Sequence, residues 1–299
     1  MVGTQVLPSL NSHSGSLQCG ERALALGSPV VMGVLNITPD SFSDGGSLLR
    51  NGRPDLDKIL LRAEQMLIEG AGIVDVGGES TRPGADVVSV AEELDRVLPV
   101  VEAITQRFNA IVSVDTSSPE LMQSASGCGA GMINDVRALE GPGALLAAQQ
   151  SGLPICLMHM QGQPKTMQQT PGYDNVVGEV LDYLTGRVAA CITGGIDRSR
   201  LILDPGFGFG KTPQHNLVLL NRLKQIAALG YPVLVGLSRK SLIGEVLGRD
   251  IGERLAGSLA LAVLAAERGA SIIRVHDVAE TVDAIKLCEA VAREQLLEE

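Results

Sequence analysis

Eight short apolar runs, a segment of helical period after each, and short returns from helix to strand predict an α/β chain closed into a single (β/α)8 (TIM) barrel. The runs lie at 30–37, 73–77, 111–115, 131–134, 154–159, 201–204, 233–238 and 272–276. They are apolar almost throughout, as parallel strands covered on both faces should be. Segments of helical period intervene, for example at 55–69, 90–108, 213–229 and 252–268, and a last helix at 279–297 closes the chain. In the first of these, Leu56, Ile59, Leu60, Ala63 and Leu67 fall on one stripe. The returns are as short as Gly70-Ala71-Gly72 and Gly230-Tyr231-Pro232. A doubly wound sheet is the alternative, but it would need fewer strands or a visible domain boundary. One domain over 29–299 is therefore expected, with residues 1–28, polar and rich in Gly and Ser, as a flexible or loosely attached N-terminal extension.

Composition narrows the function. The 299 residues carry 34 Asp+Glu against 24 Lys+Arg, a net charge of −10, which disfavours a general binder of nucleic-acid phosphates. Aromatics make up 2% and Trp is absent, which argues against a stacking platform for single strands as well. Any anion must sit in a local basic pocket. Five scattered cysteines without a CxxC, and four histidines without an HxxxH pair, suggest neither a disulfide framework nor a zinc site. The longest strongly apolar stretch, 255–266, is too short to span a bilayer. The first 28 residues lack a basic start followed by an apolar run, so no signal peptide is read and a reducing, cytosolic location is expected.

In a barrel, the long loops at the carboxyl ends of the strands build the active site. Here the loops after strands one, two, five, six and seven are long and rich in Gly, Pro, Ser and Thr. The strand ends present Asn36, Asp75 with Glu79, Asp115, Asn134 with Asp135, His159, Asp204, Lys240, and Arg274 with His276. Any one of these can be a strand meeting water. As a ring they offer fixed carboxylates, amides and cations suited to a ligand with a hydrogen-bonding polar ring at one end and an anion at the other. Asp115 and Asp204 are the candidate carboxylates for an amidine-like edge. Asp115, ahead of Thr-Ser-Ser-Pro, could equally cap the next helix. The run Gly206-Phe-Gly-Phe-Gly-Lys211 has neither P-loop nor Rossmann spacing, since Pro205 stands where a P-loop needs glycine. Its glycines are expected to fold the backbone tightly and hold Phe207 or Phe209 over a flat ligand, one of the two remaining a candidate for the core. Ser238-Arg-Lys240 opens the region leading to the seventh helix, where cations and backbone N–H groups favour an anion, a solvated charge pair being the other reading. Arg274 and His276 alternate along strand eight and share one face.

At these residues the chain becomes recognisable. Met32-Gly-Val-Leu-Asn-Ile-Thr-Pro-Asp-Ser-Phe-Ser-Asp-Gly-Gly46, Gly77-Gly-Glu-Ser-Thr-Arg-Pro-Gly-Ala85, Asp204-Pro-Gly-Phe-Gly-Phe-Gly-Lys211, Ser238-Arg-Lys240 and Arg274-Val-His276 resemble, in matching order, the signatures of the bacterial dihydropteroate synthase family. The resemblance implies a transferase of folate biosynthesis that condenses 6-hydroxymethyl-7,8-dihydropterin diphosphate with p-aminobenzoate. By motif it implies that Asp115, Asn134, Asp204 and Lys240 bind the pterin, that Arg274 and His276 hold the diphosphate, and that Asn36 ligates Mg2+. Thr81, Arg82, Pro83, Phe209 and Ser241 would form the p-aminobenzoate site. Asp115, Lys240, Arg274 and His276 would be the catalytic set, and loops at 38–46 and 79–85 would close over the reactants. A homodimer through the barrel helices is implied too. The rivals are a pterin-binding methyltransferase domain, which has no diphosphate to hold, and a non-catalytic pterin-binding homologue.

Overall fold

The computed structural model describes residues 15–38, 48–50, 52–80, 88–163 and 166–296. Eight parallel strands form its centre: β1 (Val30–Asn36), β2 (Ile73–Gly77), β3 (Ile111–Asp115), β4 (Met132–Asp135), β5 (Ile155–Met158), β6 (Leu201–Asp204), β7 (Leu234–Val235) and β8 (Ile272–Val275). Their hydrogen-bonded order is β6-β5-β4-β3-β2-β1-β8-β7. A parallel bridge from Leu203 to Val233, the residue ahead of β7, joins the two ends and closes the barrel. Around it run α1 (Leu56–Ile68), α2 (Val90–Arg107), α3 (Pro119–Gly127), α4 (Ala144–Ser151), α5 (Val176–Thr193), α6 (Pro213–Asn221), α7 (Leu223–Ala227), α8 (Ser241–Leu247), α9 (Leu255–Glu267) and α10 (Val278–Arg293). Several helices start where the sequence supplies a cap. Ser89 and Glu92 form a capping box on α2, and Ser118 accepts from the Leu121 N–H with Pro119 at the first helical position of α3.

Several boundaries differ from the sequence expectation. The segment 213–229 is two helices, because Arg222 leaves helical geometry between them. β7 stops after Val235, and the chain beyond it turns to carry Ser238 and Lys240 to the mouth. α10 ends at Arg293, where Glu294 takes a left-handed conformation at φ +53°.

Alternation along the strands sends every second side chain into the barrel. The lowest inward layer is Met32, Ile73, Ile111, Met132, Cys156, Ile202, Leu234 and Ile272, all within one apolar cluster. Two residues further toward the carboxyl ends, the same face carries Val34, Asp75, Ser113, Asn134, Met158, Asp204, Gly236 and Arg274. A dry floor thus lies beneath a layer that is mostly polar.

Residues 15–28 correct the expectation of a loose extension. Ser16–Cys19 pairs antiparallel with Arg22–Ala25, and Leu17, Cys19, Leu24 and Leu26 join the floor cluster. Burying four apolar side chains fixes this hairpin across the amino-terminal mouth as a plug. Residues 1–14 of the expected extension lie outside the described residues. Because Leu26 is 2% exposed, Leu26→Ala should lower unfolding free energy by about 2–4 kcal/mol in urea denaturation. A loss below about 0.5 kcal/mol, the scale of an exposed site, would contradict the plug.

Candidate functional site

The polar layer is organised by one cation. Arg274, carried up from β8, donates from Nε to Asp75 Oδ2 at 2.7 Å and from a terminal nitrogen to Asp115 Oδ2 at 3.0 Å. Asn134 Nδ2 also reaches Asp75 Oδ2, at 3.4 Å. The side chain of Asp75 is wholly buried and that of Asp115 is 12% exposed. Burial pulls the guanidinium toward neutrality, but the two carboxylates outweigh it, so Arg274 stays charged. Burial pushes the Asp115 carboxyl above its ordinary range, with Arg274 opposing and Asp75 and Asp135 adding to the rise. Asp75 Oδ1 and Ser113 Oγ are buried without a hydrogen-bond partner among the described residues. Such atoms call for a water or a ligand donor.

The loop after β6 builds the opposite wall. Gly206, Gly208 and Gly210 sit at φ +68°, +79° and +62°, a conformation that side chains rarely adopt. A methyl group at Gly206 would also run into the His159 carbonyl oxygen. Asp204 Oδ1 accepts from the Gly206 N–H at 2.7 Å, so one carboxylate oxygen braces the loop. The buried Lys211 ammonium staples it from behind, donating to the carbonyls of Gly206 at 2.8 Å and Phe209 at 3.1 Å and meeting His159 Nδ1 at 2.9 Å. Burial pulls Lys211 down to about 7, Asp204 opposing. Burial likewise drives His159 down to about 3, the Lys211 charge adding to it, and keeps the ring neutral as acceptor. The two phenylalanines divide the roles left open by the sequence: Phe207 is 1% exposed and belongs to the core, while Phe209 is half-buried with Lys240 Nζ 4.7 Å from its ring centre. Lys240 Nζ also donates to the Phe207 carbonyl.

The loop after β3 is braced by two buried carboxylates. Thr116 Oγ1 donates to Glu93 of α2 at 2.7 Å, and Ser117 Oγ donates to Asp135. Asp135 in turn accepts from the N–H groups of Arg137 and Leu139. Ser118, not Asp115, caps α3, which leaves Asp115 for the pocket.

The structure therefore brings Asp115, Asn134, Asp204, Lys240, Arg274 and Phe209 to one carboxyl-terminal mouth. Gly236 lies between Arg274 and Lys240: a methyl built there would stand 3.8 Å from Arg274 Cβ and 4.0 Å from Lys240 Nζ. His276 stands at the rim, its Nδ1 3.1 Å from Ser238 Oγ. Ser241 is exposed at the start of α8. Thr81, Arg82 and Pro83 lie outside the described residues. Asp75, which the sequence reading places in the strand-end ring without a partner, and Lys211, which it quotes only as the end of a motif, prove central to the packing of the site. The signal was there: a charged residue two positions into the apolar run Ile73-Val-Asp-Val-Gly77 must face the barrel and needs a buried partner.

The sequence resemblance places Mg2+ at Asn36. Its side chain is half-buried at the end of β1 and makes no hydrogen bond among the described residues. A methyl built at Gly77 would lie 3.4 Å from Asn36 Oδ1 and 3.6 Å from Asp115 Cβ, so the amide borders the acidic end of the pocket. No group of three His, Cys, Asp or Glu that could hold a metal occurs among the described residues. One amide oxygen fits Mg2+ that arrives largely coordinated by water and substrate phosphates, the usual mode for this ion.

Comparison with known proteins agrees with the geometry. Residues 32–276 match the family model described as pterin binding enzyme. The dihydropteroate synthase of Escherichia coli strain K12 is 57% identical over 268 residues, 90% of this chain and 93% of that protein. The Haemophilus influenzae dihydropteroate synthase is 52% identical over 276 residues, covering 92% of this chain and 98% of its own. Among solved structures, the Yersinia pestis dihydropteroate synthase with a sulfonamide drug superposes with a TM-score of 0.88 at 50% identity, covering 93% of this chain and 99% of that one. The Xanthomonas albilineans dihydropteroate synthase with 4-aminobenzoic acid has a TM-score of 0.84 at 48% identity, covering 93% of this chain and 98% of that one. With its barrel closed, its mouth lined by paired acids and cations, and its relatives matched nearly end to end, this chain belongs to the dihydropteroate synthase family of pterin-binding enzymes.

Proposed function

We propose that the chain condenses 6-hydroxymethyl-7,8-dihydropterin diphosphate with p-aminobenzoate to give 7,8-dihydropteroate and diphosphate. The observation that carries this reading is the Asp115–Arg274 ion pair at 3.0 Å in the same mouth as the buried Asp204 carboxylate and Lys240, which matches a hydrogen-bonding ring joined to an anionic tail. Asp115, Asn134 and Asp204 receive the polar edge of the pterin, and Lys240 contributes a positive charge beside Asp204. Arg274 and His276 hold the diphosphate. Asn36 would hold Mg2+, which when bound neutralises diphosphate oxygens and improves the leaving group. Phe209 and Ser241, with Thr81, Arg82 and Pro83, form the arylamine side, and the loops at 38–46 and 79–85 shield the reactants.

The chemistry that suits these residues is dissociative. The CH2–O bond breaks with its electron pair leaving on the diphosphate, whose charge Arg274 and His276 balance. The cation left on the pterin methylene is delocalised into the ring, and fixed carboxylates beside it favour that charge without reorganisation. The arylamine nitrogen then forms the new C–N bond and loses a proton. Water would capture the same cation, so closure of the loops protects the product.

The helices on the far side support a homodimer. α9 is apolar on all faces, and Val246, Leu247, Leu255, Leu287 and Val291 stand exposed on it and on the neighbouring α8 and α10. A helix apolar all round is expected to be covered. A second copy seated across α9 and α10 covers it. Five free cysteines suit a reducing compartment such as the cytosol, and no helix among the described residues is long and apolar enough to cross a membrane.

Incubation with the pterin diphosphate, Mg2+ and p-aminobenzoate should yield dihydropteroate by mass spectrometry. Asp115→Asn and Lys240→Ala should each lose most turnover, about 100-fold or more, with the far-UV spectrum intact. Wild-type-like rates for both would refute the reading. Burial pulls Lys240 down to about 8, Asp204 opposing, so pterin affinity should weaken as pH rises through 8 and the ammonium is lost. Lys240→Met should flatten that alkaline limb in a calorimetric titration, and an unchanged limb would exclude Lys240 as its source. For the dimer, light scattering should show Leu287→Asp with Val291→Asp as a monomer, whereas a mass unchanged from wild type would place the interface elsewhere.

A further inference from the structure

Arg274 is bound at two ends of very different character. At Asp75 the partner side chain is 0% exposed, and no other cation pairs with it among the described residues. At Asp115 the partner side chain is 12% exposed at the mouth, and the contact is made through a different guanidinium nitrogen. Breaking the first contact would leave a wholly buried carboxylate with only the Asn134 amide near it, whereas the second can be exchanged for another anion as a ligand enters. Such an exchange is required, because the pocket asks Asp115 to receive a heterocycle and Arg274 to receive a phosphate, while in the free protein each occupies the other. A planar guanidinium can hold one acid by Nε and release another at its far end, which a lysine ammonium cannot do.

We infer that Asp75 is a positioning residue for the reaction: it tethers Arg274 through Nε while the far end of the guanidinium leaves Asp115 for the incoming diphosphate. Pterin binding and diphosphate capture are thereby one event. The ring takes over the Asp115 carboxylate, and the nitrogen it displaces turns to the tail. The inference rests on the proposed pterin diphosphate site. Removing the tether charge leaves Arg274 paired with Asp115 alone, so the ring must compete for that acid and the guanidinium loses its pivot.

The test is a double-mutant cycle of Asp75→Asn with Arg274→Ala, read as initial rates of dihydropteroate formation. Asp75→Asn should lower kcat/KM for the pterin diphosphate about 10- to 100-fold, with KM for p-aminobenzoate within about twofold. In the Arg274→Ala background it should produce no further loss, since Asp75 acts through Arg274. Near-wild-type rates, or losses that simply add, would overturn the tether. If Asp75→Asn does not fold, Arg274→Lys decides: it should fall as far as Arg274→Ala, and rescue to wild-type rates would overturn the inference. A wild-type protein that forms no dihydropteroate would instead strike the functional reading. In that event, titration with inorganic diphosphate still tests the tether, with weaker binding to either variant than to wild type expected and equal binding overturning it.

Discussion

A full positive charge inside a barrel has to be met by carboxylates or by converging acceptors, and the bridge from Arg274 to Asp75 and Asp115 is the constraint around which the mouth is arranged. It ties β8 to β2 and β3. The register of these strands is set below by the apolar floor, so a one-residue slip would turn Asp75, Asp115 and Arg274 outward together and bury their neighbours instead. The floor and the charged layer therefore enforce each other. The hairpin over 16–25 completes the floor from beneath, which keeps the low-lying layer dry.

The second wall shows how the chain presents a charge without losing it to solvent. The three glycines after β6 fold the backbone so that Phe207 enters the core while its carbonyl faces Lys240, and Phe209 lies along that ammonium. Among the described residues Lys211 has no carboxylate partner and holds the turn from behind with carbonyls and a neutral histidine. Asp75, Asp115, Asp204 and Arg274 thus stand on strands, while Lys240 is carried by the turn that leads into α8. Charges that act on a forming cation gain by such preorganisation.

Much of this was legible in the residues themselves. The eight strands follow from continuous apolar runs such as Ile73-Val-Asp-Val-Gly77, and the inward face follows from alternation once Arg274 and His276 are placed together. What escaped was pairing at long range. Nothing near Asp75 in the sequence names Arg274, 199 positions away, as its partner, and the role of Lys211 depends on carbonyls that converge only when the loop folds. The hairpin escaped for a different reason. Gln18-Cys-Gly-Glu-Arg22 reads as a polar surface turn, and the burial of Leu17 and Leu26 comes from the barrel floor they cover, not from a pattern of their own.

The account stands or falls on the shared pocket. A crystal structure of the protein with a pterin ligand in the barrel tests it most directly. The ring should lie between Asp115, Asn134 and Asp204, with Arg274 Nε still on Asp75 and its far end drawn off Asp115. A ligand bound away from these carboxylates, or a guanidinium that abandons Asp75 and keeps Asp115, would contradict it.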